Sequence, residues 1–418
     1  MKIAVTIILL FVCNTLFAQM YHTQPLSNEI HTIQINKNGE WNEYPVINLR
    51  GNDKVLLSFD RISEDNAYNR LRYRIIHCDA YWKKSRDIWE IDYLDGFNDN
   101  LIDDYAASVN TTVEYNNFEL EIPNDDINLK VSGNYAIEVY DDGSPDIVLL
   151  TACFSVVDQQ ISIGATVSSN TDIDSNRSHQ QLSFTINHSN LTIRDPRRDL
   201  SVFAWQNNRL DTERVNLKPT YINAGKLIYE HNRDLIFEAG NEYRRFETSS
   251  YRYNGMNVEH VEYNKPTYSM YIVPDKIRAI RSYSYDQDQN GRFVIRSNDT
   301  DYPANEADYF STIFSIPMDN PIPEDIYING NFTYNNFTDR YKMVYDEDNK
   351  LYYLPLLLKQ GLYNYQYLTK SGKNYTTSKI EGNFYETENE YQIFVYHRPP
   401  GQRYDSLIGV QSIQSRPK

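Results

Sequence analysis

The strongest constraint on this chain is a period of two. Apolar residues recur at every second position through most of VLLSFD (55–60), LRYRIIHC (71–78), FELEIP (118–123), YAIEVYDD (135–142), CFSVVD (153–158), QLSFTIN (181–187), YSMYIV (268–273), FSTIFSIP (310–317), DIYING (325–330), YNYQYL (363–368) and YQIFVY (391–396). Successive side chains of a strand point to opposite faces, so this spacing gives each segment one face to bury. No stretch of a dozen residues carries a helical period. The 36 tyrosines and 17 phenylalanines agree, because aromatic rings suit half-buried pleated surfaces better than helices. Asn, Asp and Gly separate the segments, and the expected fold class is all-β: tandem antiparallel β-sandwiches of immunoglobulin-like or early-set-like type.

A chain of 418 residues can bury two or three cores. Boundary signals fall at 157–161, where a strand ending in VVD runs into QQIS, and at the polar segment 299–308. The expected division is a signal peptide over 1–18, an N-terminal sandwich over 19–158, a middle sandwich over 159–303, and a C-terminal early-set-like sandwich over 304–418 that closes on a last strand. A glycine precedes a tyrosine-led strand at 132–143, 239–247 and 360–372, one occurrence near each expected unit.

The N-terminus, MKIAVTIILLFVCNTLFAQ, has the form of a secretory leader: basic Lys2, an apolar run from Ile3 to Val12, and cleavage expected after Ala18. The run is too short for a spanning segment and no stop-transfer stretch follows, so no transmembrane segment is expected. A lipid anchor on Cys13 would need a small residue before it, where Val12 stands. Without the leader 40 basic residues face 57 acidic ones, a net charge of −17. Such acidity excludes nucleic acid and anionic membrane as natural partners. Cys78 and Cys153 remain. In an oxidising compartment they can pair as a disulfide between two strands of the first unit, or stay as buried thiols behaving as small hydrophobes.

Candidate chemistry is sparse. Asp286, Asp288 and Asn290 followed by Gly291 match the start of a calcium loop, but the twelfth position, which must supply a bidentate carboxylate, is Ser297. Strand-like alternation of Tyr283, Tyr285, Phe293 and Ile295 around Asn290-Gly291 favours a tight hairpin instead. His77, Cys78 and Asp79 cannot converge on one face of a strand. The other histidines lack zinc spacing, and there is no G-x-S-x-G, P-loop or G-x-G-x-x-G. No catalytic, cofactor-binding or metal-ligating residue is therefore assigned.

Two resemblances add to this. IYINGNFTYNNFTDRYKMVY (326–345) with the following LYYLPLLLKQGLYNYQYLTKSG resembles early-set domains related to glycogen-binding modules, which implies Phe332, Tyr334 and Phe337 as candidates for stacking on sugar rings. On this alternative reading the protein is a periplasmic or surface glycan binder; otherwise the three rings fill the sandwich core or its rim. More specifically, IIHCDAYW (75–82), SVNTTVEYNNFELEIPN (108–124), SGNYAIEVYDDG (132–143), FEAGNEYRRFE (237–247) and DQNGRFVI (288–295), in that order, resemble the plug proteins of the bacterial type IX secretion system. Tyr81 and Cys153 depart from that pattern. The resemblance implies a non-catalytic, cofactor-free protein of the periplasm, held peripherally at the outer membrane. Its partner would be the large outer-membrane β-barrel translocon, whose pore it blocks from the periplasmic side while no cargo passes. Reversible blocking favours a moderately polar contact, with acidic loops and a few exposed tyrosines facing the barrel.

Overall fold

The computed structural model describes residues 20–63 and 70–415; the expected leader lies outside the described residues. Among the described residues the regular structure is almost all strand, arranged as three two-layer sandwiches.

In the first sandwich one sheet runs Gln24–Pro25, Val148–Val157, Gly133–Asp141, Leu71–Cys78, Asn100–Leu101, with Val46–Asn48 added parallel to Val148–Val157. The facing sheet runs Ile30–Lys37, Val55–Arg61, Asn116–Ile122, Tyr105–Ala107. Val55, Leu57 and Phe59 alternate inward from one strand, and Phe59 stacks on Phe118 with ring centroids 5.2 Å apart.

The third sandwich explains the tyrosine content. Gly361–Ser371 is its central strand: the first half pairs with Arg244–Glu247 and Phe293–Ile295, the second with Ile326–Asn329 and Asn374–Thr376. Tyr363, Tyr365 and Tyr367 point from it into the core. They meet the sheet Val258–Asn264, Thr267–Ile272, Tyr309–Pro317, Leu351–Lys359, Val344–Asp346.

The second sandwich departs from the linear division expected from sequence. One sheet is Ser162–Ser168, His179–Asn187, Lys226–Tyr229, Tyr221–Asn223, with Ile236–Glu238 beside His179–Asn187. Its facing sheet is Leu200–Gln206 with Glu390–His397 and Ser406–Gln414, which come from the end of the chain. Tyr391, Ile393, Val395 and Ile408 belong to this core, alongside Leu182, Phe184 and Val202. The strands between 244 and 295, expected in the middle unit, belong to the third core. The third sandwich is thus inserted into the second. The polar segment 299–308 is not a boundary: it holds the short helix Pro303–Glu306, close against Asn116–Ile122 of the first sandwich.

The corner at Asn290-Gly291 is also corrected in part. Both residues have positive φ, 51° and 85°, as the turn requires, and a Cβ on Gly291 would sit 2.8 Å from the Tyr243 ring. Its flanks do not form a hairpin, however, since Phe293–Ile295 pairs with Gly361–Ser371 and no strand includes Tyr283 or Tyr285.

Candidate functional site

The polar side chains that sequence reading leaves aside gather where the three sandwiches touch. Alternation on Val55–Arg61 sends Phe59 into the first core and Asp60 out of it, toward the third sandwich. There Asp60, fully buried, accepts from Lys359 Nζ at 2.7 Å, Tyr309 Oη at 2.6 Å and Asn117 Nδ2 at 2.8 Å. Lys359 also donates to the Ala304 carbonyl at 2.6 Å and lies 4.1 Å from the Tyr115 ring centroid. Burial pushes the Lys359 ammonium below its usual range, with Asp60 holding it back. Tyr115 Oη donates to the Ala307 carbonyl at 2.7 Å, and Asp308 accepts the Thr112 and Val113 amides.

A second junction joins all three bodies on one carboxylate. Glu390, from the returning strand of the second sandwich, accepts from Arg292 of the third at 2.8 Å and from the Tyr44 hydroxyl of the first at 3.1 Å. The Arg292 guanidinium lies 4.5 Å over the Tyr44 ring. The first and second sandwiches also share an apolar cluster containing Ala80, Val157, Phe203, Trp205, Phe394 and Leu407, edged by the Tyr396 hydroxyl donating to Asn134 Oδ1 at 2.9 Å. A cavity of about 160 Å³ opens beside Tyr44 and Arg292, lined also by Trp41, Trp82, Trp205, Phe293 and Tyr334 among others. The charges gathered here are paired with one another, so the arrangement fixes the angles between three rigid bodies. Among the described residues no three His, Cys, Asp or Glu side chains are placed to hold a metal.

No curated protein matches the sequence. Across 95% of this chain and the whole of the other, the structure is similar to a crystal structure of a hypothetical protein from Parabacteroides merdae, with 44% identity and a TM-score of 0.92. A family model described as the type 9 secretion system plug protein 1st domain matches residues 30–158, which hold all of the first sandwich except the short edge strand Gln24–Pro25. The chain belongs to the type IX secretion system plug protein family. It therefore takes part in type IX secretion as a plug-type component of the cell envelope.

In the plug protein the residues singled out from sequence do not form a common site. Cys78 and Cys153 are buried free thiols. They lie on the two strands that flank Gly133–Asp141, opposite Asn134 and Ala136. Strands two places apart in a sheet are about 9.6 Å apart, beyond the roughly 7 Å that a disulfide spans, so the pair is not bridged. Phe332 is a core residue in contact with Tyr363. Tyr334 turns into the three-way junction, where its hydroxyl accepts the Ile33 amide at 3.0 Å. Phe337 stacks on Tyr375 at 3.7 Å. The three rings are engaged separately and make no shared platform for a sugar.

The two crossings between the second and third sandwiches are tied to each other by Glu242. Its Oε1 accepts from the Tyr283 hydroxyl at 2.5 Å and from the Glu388 amide at 3.0 Å, while Oε2 has no hydrogen-bond partner among the described residues. Burial raises its pKa to about 7, and that of neighbouring Asp288 to about 6. A carboxyl whose folded pKa is raised holds its proton more tightly when folded, so stability falls as pH rises from the unfolded value of about 4.3 toward 7. Glu242→Gln, which mimics the protonated form, is expected to flatten that fall and to stabilise the protein above pH 7. Urea midpoints at pH 5 and pH 8 check this; a variant with the wild-type pH slope would contradict it.

Proposed function

We propose that this plug protein is the stopper of the type IX translocon: it binds the outer-membrane β-barrel from the periplasm and occludes the pore when no cargo is engaged. The observation that carries this reading is the family match over the first sandwich, and the interlocking of the three sandwiches supports it. A stopper acts through bulk and stiffness, and buried charged contacts at two junctions resist bending between the bodies. No described helix is long and apolar enough to cross a membrane, which suits a subunit that associates with the barrel from one side. It performs no chemistry on what it blocks.

The test is a deletion of the gene with the barrel retained. Small hydrophilic solutes normally excluded by the outer membrane are expected to enter several-fold faster, and expression of the full chain is expected to restore exclusion. Unchanged entry in a strain whose barrel is present would sink the reading.

A further inference from the structure

We propose that the excursion at residues 88–98 of the first sandwich is the edge on which the plug protein docks against the barrel, inserting Trp89, Ile91 and Phe97 into an apolar notch bordered by basic side chains. This rests on the stopper reading and names the surface it uses.

Four large apolar side chains among the described residues are at least 70% exposed, and three of them are Trp89 at 75%, Ile91 at 77% and Phe97 at 70%; the fourth is Ile280. Apolar groups scattered singly need no explanation, but three within nine residues mark an interaction surface. The excursion is pinned from below. Ile88, Tyr93 and Leu94 are buried in the first core, Leu94–Gly96 pairs with Ile127–Leu129, and the Tyr93 hydroxyl donates to the Ile75 carbonyl at 3.2 Å. Asn98 exchanges hydrogen bonds with the backbone of Ile75 and also donates to Glu90 Oε2 at 2.9 Å, which brings the Trp89 and Phe97 ends of the excursion together. Gly96 permits the turn: its φ is 115°, and a Cβ there would lie 1.9 Å from the Asp126 carbonyl oxygen. Rigid aromatic anchors lose little conformational entropy on docking, which is why Trp and other large rings dominate interface hot spots.

Charge decides the occupant. Residues 87–99 hold five acidic side chains and no basic one. Asp87, Asp92 and Asp99 are paired with Arg398, Arg403 and Arg72. Glu90 and Asp95 are exposed and have no basic partner among the described residues. Lys130 Nζ donates to the Ile91 carbonyl at 2.7 Å, so four bases face the five acids and one carboxylate is in excess. Apolar anchors framed by an acidic excess disfavour an anionic leaflet and a second copy of the same surface. They fit a polypeptide rim with basic edges.

The experiment is recovery of the barrel on the tagged, full-length plug protein, in cells lacking their own copy, for wild type and for the triple variant Trp89→Ala, Ile91→Ser, Phe97→Ser. The triple variant is expected to recover at least tenfold less barrel at an unchanged melting temperature. Glu90→Lys with Asp95→Lys is expected to reduce recovery several-fold at low salt, and Phe97→Ser alone serves if the triple variant misfolds. Wild-type recovery by a folded variant would overturn this docking edge and leave the stopper reading intact; failure of the wild type to recover the barrel would remove both. Two further results would also overturn it, each with barrel recovery unchanged: loss of binding to phosphatidylglycerol vesicles in the triple variant, or loss of a concentration-dependent dimer in sedimentation.

Discussion

A chain ending at residue 388 is expected to lose the second sandwich while the first and third keep their cores. The truncation removes Glu390–His397 and Ser406–Gln414, two of the three strands in one sheet, and leaves Leu200–Gln206 with only the single bridge between Ala204 and Arg214 and the Leu217 amide on Val202. It also strips Tyr391, Ile393, Val395 and Ile408 from the core. Burying one such side chain is worth about 1.5–3 kcal/mol, so the four together amount to roughly 6–12 kcal/mol. That equals most of the 5–15 kcal/mol or so that holds a whole domain folded. The complementary expectation is that 161–239 joined directly to 389–415 by a short Gly/Ser linker folds alone. Asn389 Nδ2 already donates to the Ala239 carbonyl at 2.7 Å, so the ends to be joined are adjacent. A fragment spanning 159–303 should stay unfolded. Limited proteolysis and urea titration of the three constructions decide the matter; cooperative unfolding of 159–303, with none in the joined fragment, would overturn the inserted arrangement.

Most of the longer strands were legible from the alternation of apolar with polar side chains, whether or not the polar face is wet: Gly133–Asp141 and Glu390–His397 are buried on both faces and still alternate. Leu71–Cys78 coincides end to end with the alternating segment LRYRIIHC, and the other ten segments each fall on a strand. Leu200–Gln206 escapes the same signal for a physical reason: Leu200, Val202 and Ala204 face the second core while Phe203 and Trp205 face the cluster shared with the first sandwich. A strand with an apolar cluster on each face reads as a plain apolar run. Ile30–Lys37 escapes because its register shifts between His31 and Gln34, with Thr32 at a φ of 51°, and the shift breaks the period.

The insertion of one sandwich into another was not legible, because pairing of residue 202 with residue 395 leaves no local trace. The same holds for the junction chemistry. Asp60 and Lys359 lie 299 positions apart, and Asp60 occupies a place on its strand that alternation assigns to solvent. Composition announced many tyrosines, but only the packing separates Tyr309, wholly inside, from Tyr302, 69% exposed.

Lys359→Met is expected to be the most damaging single substitution at the junctions, at about 3–5 kcal/mol, because it leaves the Asp60 carboxylate buried without its cation. The cost falls on the contact between the first and third sandwiches, since neither residue is part of a hydrophobic core and Phe59 and Leu356 beside them stay packed. Asp60→Asn combined with Lys359→Met should recover the greater part of the loss. The uncompensated charge is gone, and an Asn Oδ1 at position 60 still accepts the Tyr309 hydroxyl. Urea unfolding of the two variants and the wild type measures this, and equal midpoints for Lys359→Met and wild type would show that the pair contributes nothing. The same comparison bears on function. If stiffness between the sandwiches is what closes the pore, cells carrying Lys359→Met at normal abundance should leak small solutes and the double variant should leak less. Leakage that followed abundance alone, with no difference between folded variants, would mean that closure depends on the docking edge and not on the rigidity of the body behind it.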